Sequence, residues 1–163
     1  MWMERVKLML ATAFGLGLAP VAPGTVATLF GVALHLAIVW SVPLAQQRVA
    51  LIVALMIVSM IHFWLTPWAQ KRWQDSDPGN FVLDEVAGYL VVPIFIQTGP
   101  LWFIATAGFF LFRILDIIKI PPARQIDQQM HGGWGILLDD LVSGLYAVGV
   151  ILLIYHVCPS LNG

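Results

Sequence analysis

Four long runs of the 163-residue chain contain no Asp, Glu, Lys or Arg: Leu8–Gln47, Val49–Gln70, Val86–Phe112 and Leu141–Gly163. They are 40, 22, 27 and 23 residues long and cover 112 positions. A helix crossing the hydrocarbon core of a bilayer needs about 20 consecutive, mostly apolar residues. Every run therefore has room for at least one span. Roughly a quarter of a soluble domain's residues are charged, whereas this chain has 10%, with 60% hydrophobic and a mean hydropathy of +0.86. A net charge of −1 excludes a nucleic-acid partner, which needs a basic surface. The lone Cys158 excludes a disulfide scaffold. The expected fold class is an all-α integral membrane protein, a single domain over residues 1–163.

Turn and breaker residues divide the runs into five candidate spans: Val26–Val42, Val49–Leu65, Phe81–Gln97, Leu101–Ile118 and Ile136–Val157. Backbone polar groups in hydrocarbon must be satisfied within their own segment, so these are helices. Thr66-Pro67 is expected to end the second, and Pro93 to kink the third. Arg5 and Lys7 ahead of an apolar run resemble a signal peptide, but no soluble mature chain follows. Residues 1–19 are expected instead to form an interfacial or re-entrant segment. With the N-terminus in the cytoplasm, Arg5, Lys7, Lys71, Arg72, Lys119 and Arg124 all lie inside and only Arg48 outside.

Thirteen of the seventeen charged residues fall within 71–85 and 113–140. In the five-span arrangement, Asp84 and Glu85 open the third helix, Asp116 lies near the end of the fourth, and Asp139 and Asp140 open the fifth. Five carboxylates thus share one depth at the cytoplasmic interface. Acids at a helix N-terminus are ordinarily caps favoured by the helix dipole. Asp116 does not fit that pattern, because the dipole disfavours an anion at a C-terminus. Arg113 and Lys119, three residues either side of Asp116, are placed on its face and expected to neutralise part of the cluster. A hard divalent cation would neutralise the rest, since Mg²⁺ takes carboxylate, water and phosphate oxygens.

Two loops are candidate phosphate seats. Pro20–Thr28 offers Thr25 and Thr28 with free N–H groups at a helix start, and Ile120–Gly135 carries Arg124, Asp127, His131 and three glycines. Gly15-x-Gly17 lacks the third glycine of a dinucleotide fingerprint. His35, His62 and His156 fall in different spans without metal-site spacing. Gly88, Gly108 and Gly144 permit close helix contact, within one chain or between two.

Four blocks in order resemble the phosphatidylglycerophosphatase A family, small bacterial membrane phosphatases. They are Gly15-x-Gly17-Leu18-x-Pro20-x-x-Pro23-Gly24-Thr25, Asp77-x-Gly79-x-x-Val82-x-Asp84-Glu85, Phe112-Arg113-Ile114-Leu115-Asp116 with Lys119, Arg124 and Asp127, and His131-Gly132-Gly133-x-Gly135-Ile136-x-x-Asp139-Asp140. Ile120 stands where the family usually has proline directly after the lysine, a change in loop shape and not in ionisable groups. The resemblance implies Mg²⁺-dependent removal of the terminal phosphate of phosphatidylglycerophosphate, at the cytoplasmic face of a bacterial inner membrane. On that reading Asp84, Glu85, Asp116, Asp139 and Asp140 hold one or two Mg²⁺, with Asp84, Asp116 and Asp140 catalytic. One carboxylate activates water or itself attacks phosphorus. Thr25, Thr28, Arg113, Lys119, Arg124 and His131 bind the phosphate, and Asp77 and Asp127 support the site. The rival from another class, an ion- or proton-coupled transporter, requires ionisable residues that reach the midplane and both faces.

Overall fold

The computed structural model describes residues 2–162; Met1 and Gly163, the ends of the expected domain, lie outside them. Seven α-helices follow one another: α1 Trp2–Ala11, α2 Pro23–Ser41, α3 Leu44–Trp73, α4 Leu83–Phe95, α5 Leu101–Ile118, α6 Ala123–Gln129 and α7 Gly133–Val157. Short 3₁₀ turns cover Leu16–Leu18 and Pro159–Leu161, and the described residues contain no strand. Each of the five expected spans is a helix. Four of them, α2, α3, α5 and α7, are long and apolar enough to cross a membrane.

The third expected span differs. α4 has 13 residues instead of the 17 of Phe81–Gln97 and rises only about 20 Å. Beyond Glu85 it is apolar on all sides, so it belongs inside a bundle and not on its surface. Every residue of α4 except Glu85 and Phe95 is buried, and the helix packs against α7, α2, α3 and α5. Pro93 lies in its last turn, and the helix ends two residues later.

α3 also departs from expectation, running through Pro67 to Trp73. A proline inside a helix removes one N–H and crowds the preceding turn. Thr66 ties that turn together by donating its hydroxyl to the His62 carbonyl at 2.8 Å. Residues beyond Pro67 are anchored by packing: Ala69 is fully buried, and the Trp68 indole donates to Glu4 of α1 at 2.8 Å. The N-terminal segment folds back against the bundle. After α1 the chain reverses through Ala13, Phe14 and Gly15, all with positive φ, and the Val82 amide bonds to the Ala11 carbonyl at 3.2 Å.

Three glycines let the helices of this one chain approach closely. A Cβ on Gly144 of α7 would strike the Gly88 carbonyl of α4, and one on Gly88 would lie 2.8 Å from the Asp140 carbonyl. On α5, a Cβ at Gly108 would meet Val92 Cγ1 at 2.9 Å. The Gly88–Gly144 contact sets the separation of α4 and α7 one turn from the acids that both helices carry. A backbone carbonyl cannot rotate away, so Gly144→Val must push the helices apart. Overpacking of this kind costs about 1–3 kcal/mol. The variant should melt several degrees below wild type in detergent; an unchanged melting temperature would show the contact to be slack.

Candidate active site

The helix arrangement places the start of α4, the end of α5 and the first turns of α7 at the same end of the bundle. Asp84, Glu85, Asp116, Asp139 and Asp140 line one pocket of about 190 Å³ there, together with Asp77, Lys119 and Gly79. Four of the five acids are buried, and Glu85 is half-buried. The electropositive N-terminus of α4 favours the charge on Asp84 and Glu85, whereas Asp139 and Asp140 lie about two turns into α7. Asp116 has no such support at the C-terminal end of α5. Arg113 supplies it, with Nη1 2.7 Å from Asp116 Oδ2, an ion pair at hydrogen-bond distance but without hydrogen-bond alignment.

Lys119 behaves differently from expectation. It leaves the α5 helix in a left-handed conformation (φ 51°), which swings its side chain off the Asp116 face. Its ammonium lies 2.6 Å from both Asp127 of α6 and Asp139 of α7 and donates to each. Burial lowers the Lys119 pKa, but these two carboxylates outweigh it and hold the amine above its ordinary range. Lys119 is therefore a clamp joining α5, α6 and α7, with its charge already committed. Asp77 is exposed as a residue, yet partial enclosure of its carboxyl pushes its pKa up, and it forms part of the pocket wall.

The expected phosphate ligands divide. Gly24, at the start of α2, lies directly against the Glu85 carboxylate and Arg113: a Cβ there would collide with Glu85 Oε1 and sit 3.1 Å from Arg113 Nη2. Thr25 is half-buried next to it, at a helix start with no side-chain cap. Thr28 is fully buried and donates its hydroxyl to the Gly24 carbonyl at 2.8 Å, bracing the first turn of α2 instead of facing the pocket. Arg124 on α6 and His131 before α7 are exposed and stand outside the pocket wall.

Two supports had no signature in the sequence. His62 of α3, fully buried, donates from Nε2 to the Gly133 carbonyl at 3.0 Å and stacks on Phe81, with ring centroids 4.8 Å apart. It fixes the start of α7 against the loop that leads into α4. Gly17 accepts a hydrogen bond from Asn80 Nδ2 at 2.7 Å, so the glycine block near the N-terminus braces the Asp77–Val82 loop.

Oxygen atoms of Asp84, Glu85, Asp139 and Asp140 are buried without a hydrogen-bond partner. Two sets, Asp84–Glu85–Asp140 and Asp116–Asp139–Asp140, each offer three carboxylate oxygens within 4.8 Å of one another, sharing Asp140. All-oxygen donors at this spacing, four of the five residues keeping an unpartnered oxygen, suit a hard cation of the Mg²⁺ type. Five carboxylates face two cations, Arg113 and Lys119, and close like charges repel.

Fold and site together define a helical membrane protein with a carboxylate-walled pocket at one end of its bundle. The family model described as phosphatidylglycerophosphatase A matches residues 9–155. A phosphatidylglycerophosphatase A of Escherichia coli K12 is 35% identical over 151 residues, covering 93% of this chain and 84% of the relative. One from Haemophilus influenzae Rd is 34% identical over 152 residues, 91% and 88% of the two chains. A Bacteroides thetaiotaomicron protein, provisionally named a phosphatidylinositol-3-phosphatase, is 27% identical over 143 residues, 87% and 89% of the two. No solved structure matches. The chain belongs to the phosphatidylglycerophosphatase A family.

The crowding of acids predicts a trade between stability and function. Asp84→Asn takes one carboxyl out of the crowded pocket, and in chelator-treated buffer it should raise the melting temperature by roughly 2–4 °C per kcal/mol of repulsion relieved. Mg²⁺ should stabilise wild type more than the variant, because a cation bound only by the folded state adds to its stability. A variant less stable than wild type without metal would contradict the crowding.

Proposed function

We propose that this protein is a lipid phosphatase that removes the terminal phosphate of phosphatidylglycerophosphate in a Mg²⁺-dependent reaction, at the cytoplasmic face of a bacterial inner membrane. One observation carries the reading: two carboxylate triads sharing Asp140 lie in a pocket at the bundle end, with unpartnered oxygens on Asp84, Glu85, Asp139 and Asp140. That end also receives Lys71, Arg72, Lys119 and Arg124, which the positive-inside bias assigns to the cytoplasm. The matched relatives support the substrate class through the activity in their names.

Asp84, Glu85, Asp116, Asp139 and Asp140 would hold the metal. Bound there, Mg²⁺ supplies Lewis-acid polarisation of the phosphoryl oxygens and a more acidic bound water. Arg113 keeps Nε without a partner and faces Gly24 through Nη2, so it meets the negative charge of the phosphate. The uncapped amides at the start of α2 donate to the same anion. An unpartnered carboxylate oxygen, on Asp84 or Asp140, accepts the proton of the attacking water. Lys119 holds Asp139 in place and ties α6 to α7 through Asp127. A transporter reading finds no path. Beyond the pocket, α4 and α7 carry no Asp, Glu, Lys or Arg, and the buried polar contact between α2 and α4 is a hydrogen bond between His35 and Tyr89 at 3.0 Å.

Purified protein in detergent should release inorganic phosphate from phosphatidylglycerophosphate with Mg²⁺ and lose that activity in EDTA. Asp140→Asn should lower kcat by about 10²–10⁴ while the protein stays folded. Undiminished hydrolysis in EDTA, or full activity in the variant, would overturn the mechanism.

A further inference from the structure

An apolar groove of about 530 Å³ runs between α2 and α5 on the outside of the bundle, away from the pocket. On α2 its wall is Leu29, Leu36 and Trp40; on α5 it is Trp102, Thr106 and Phe110. The hydroxyl of Thr106 donates to the carbonyl of Trp102 at 2.7 Å, leaving its methyl as the exposed part. The groove is thus greasy along its whole length.

Its two walls lead to the site. Residues three or four apart share a helix face, and on α2 the row Trp40, Leu36, Val32 and Leu29 continues at that spacing to Thr25. On α5 the row Trp102, Thr106, Phe110 continues to Arg113. At this end the gap between the helices is bridged where the Arg113 guanidinium approaches Gly24, beside Glu85. The groove therefore ends about one helical turn from Thr25 and Arg113, at Leu29 and Phe110, and extends away from them for about 16 Å, the rise from Leu29 to Trp40.

We infer that the groove between α2 and α5 is the acyl-chain subsite, seating one chain of the lipid substrate while its phosphate lies at Arg113 and Thr25. The inference rests on the lipid-phosphatase reading and adds a specificity element to it. The occupant is a lipid chain because the side-chain rows that wall the groove on α2 and α5 lead, one turn further on, to Thr25 and Arg113, where its headgroup would lie. Leu36 and Thr106, halfway along, set how much chain fits, and neither belongs to the polar site.

Thr106→Trp and, independently, Leu36→Trp fill the middle of the groove. Both should raise KM for a long-chain lipid phosphate about tenfold or more, yet leave kcat/KM unchanged for an analogue with very short acyl chains. Equal effects on the two substrates, or none, would overturn the subsite. A lipid phosphate bearing a photoreactive group midway along its chain gives a readout independent of turnover. In EDTA, cross-links should map to α2 and α5, be competed by unlabelled lipid phosphate, and fall in Thr106→Trp. Labelling spread over all lipid-facing helices, or a groove covered by a second copy in chain-to-chain cross-linking, would refute the assignment. If groove labelling is found but no phosphate is released from any lipid, the catalytic reading fails and the subsite stands.

Discussion

The close packing of α4 on α7 is the contact on which the rest depends. Two glycines, Gly88 and Gly144, allow backbone to meet backbone. Asp84 and Glu85 on one helix thereby come within a cation's reach of Asp140 on the other. Water would screen this charge on a soluble surface. In a buried pocket it is costly unless paired, and Arg113 and Lys119 leave three of the five acids without a cation. The remaining structure holds the arrangement against repulsion: the Lys119 clamp, the His62 contact with Gly133, and the N-terminal segment bracing the Asp77–Val82 loop.

Charge-free runs made the number and order of the principal helices readable from sequence, because exclusion of charge from hydrocarbon is a composition rule. The boundaries of α5 follow from Pro100 and Pro121-Pro122, which the chain obeys. Pro67 misleads, since packing of Ala69 and Trp68 on neighbouring elements overrides a local breaker. The shortness of α4 is also hidden. An apolar segment reads alike whether it faces lipid or other helices, and only the tertiary arrangement shows α4 enclosed.

The acids were legible as a group because three helices deliver them to one depth. Individual roles were less so. Helical spacing puts Lys119 beside Asp116, but its left-handed backbone turns it to Asp127 and Asp139. Thr28 looked like a phosphate ligand, and its hydroxyl is satisfied within α2. Gly24, by contrast, owes its place to contact with Glu85 and Arg113, neighbours remote in sequence. Arg113 joins these levels: it pairs with Asp116, faces Gly24 and stands one turn beyond Phe110 at the end of the apolar groove.

The central claim is that the shared carboxylates exist to hold a divalent cation beside a lipid phosphate. Anomalous scattering from crystals of the protein grown with Mn²⁺ tests it most directly. The account predicts a peak against Asp140 and at least two of Asp84, Glu85, Asp116 and Asp139, absent from crystals of Asp140→Asn. Manganese bound only elsewhere, or an empty pocket at saturating metal, would contradict it.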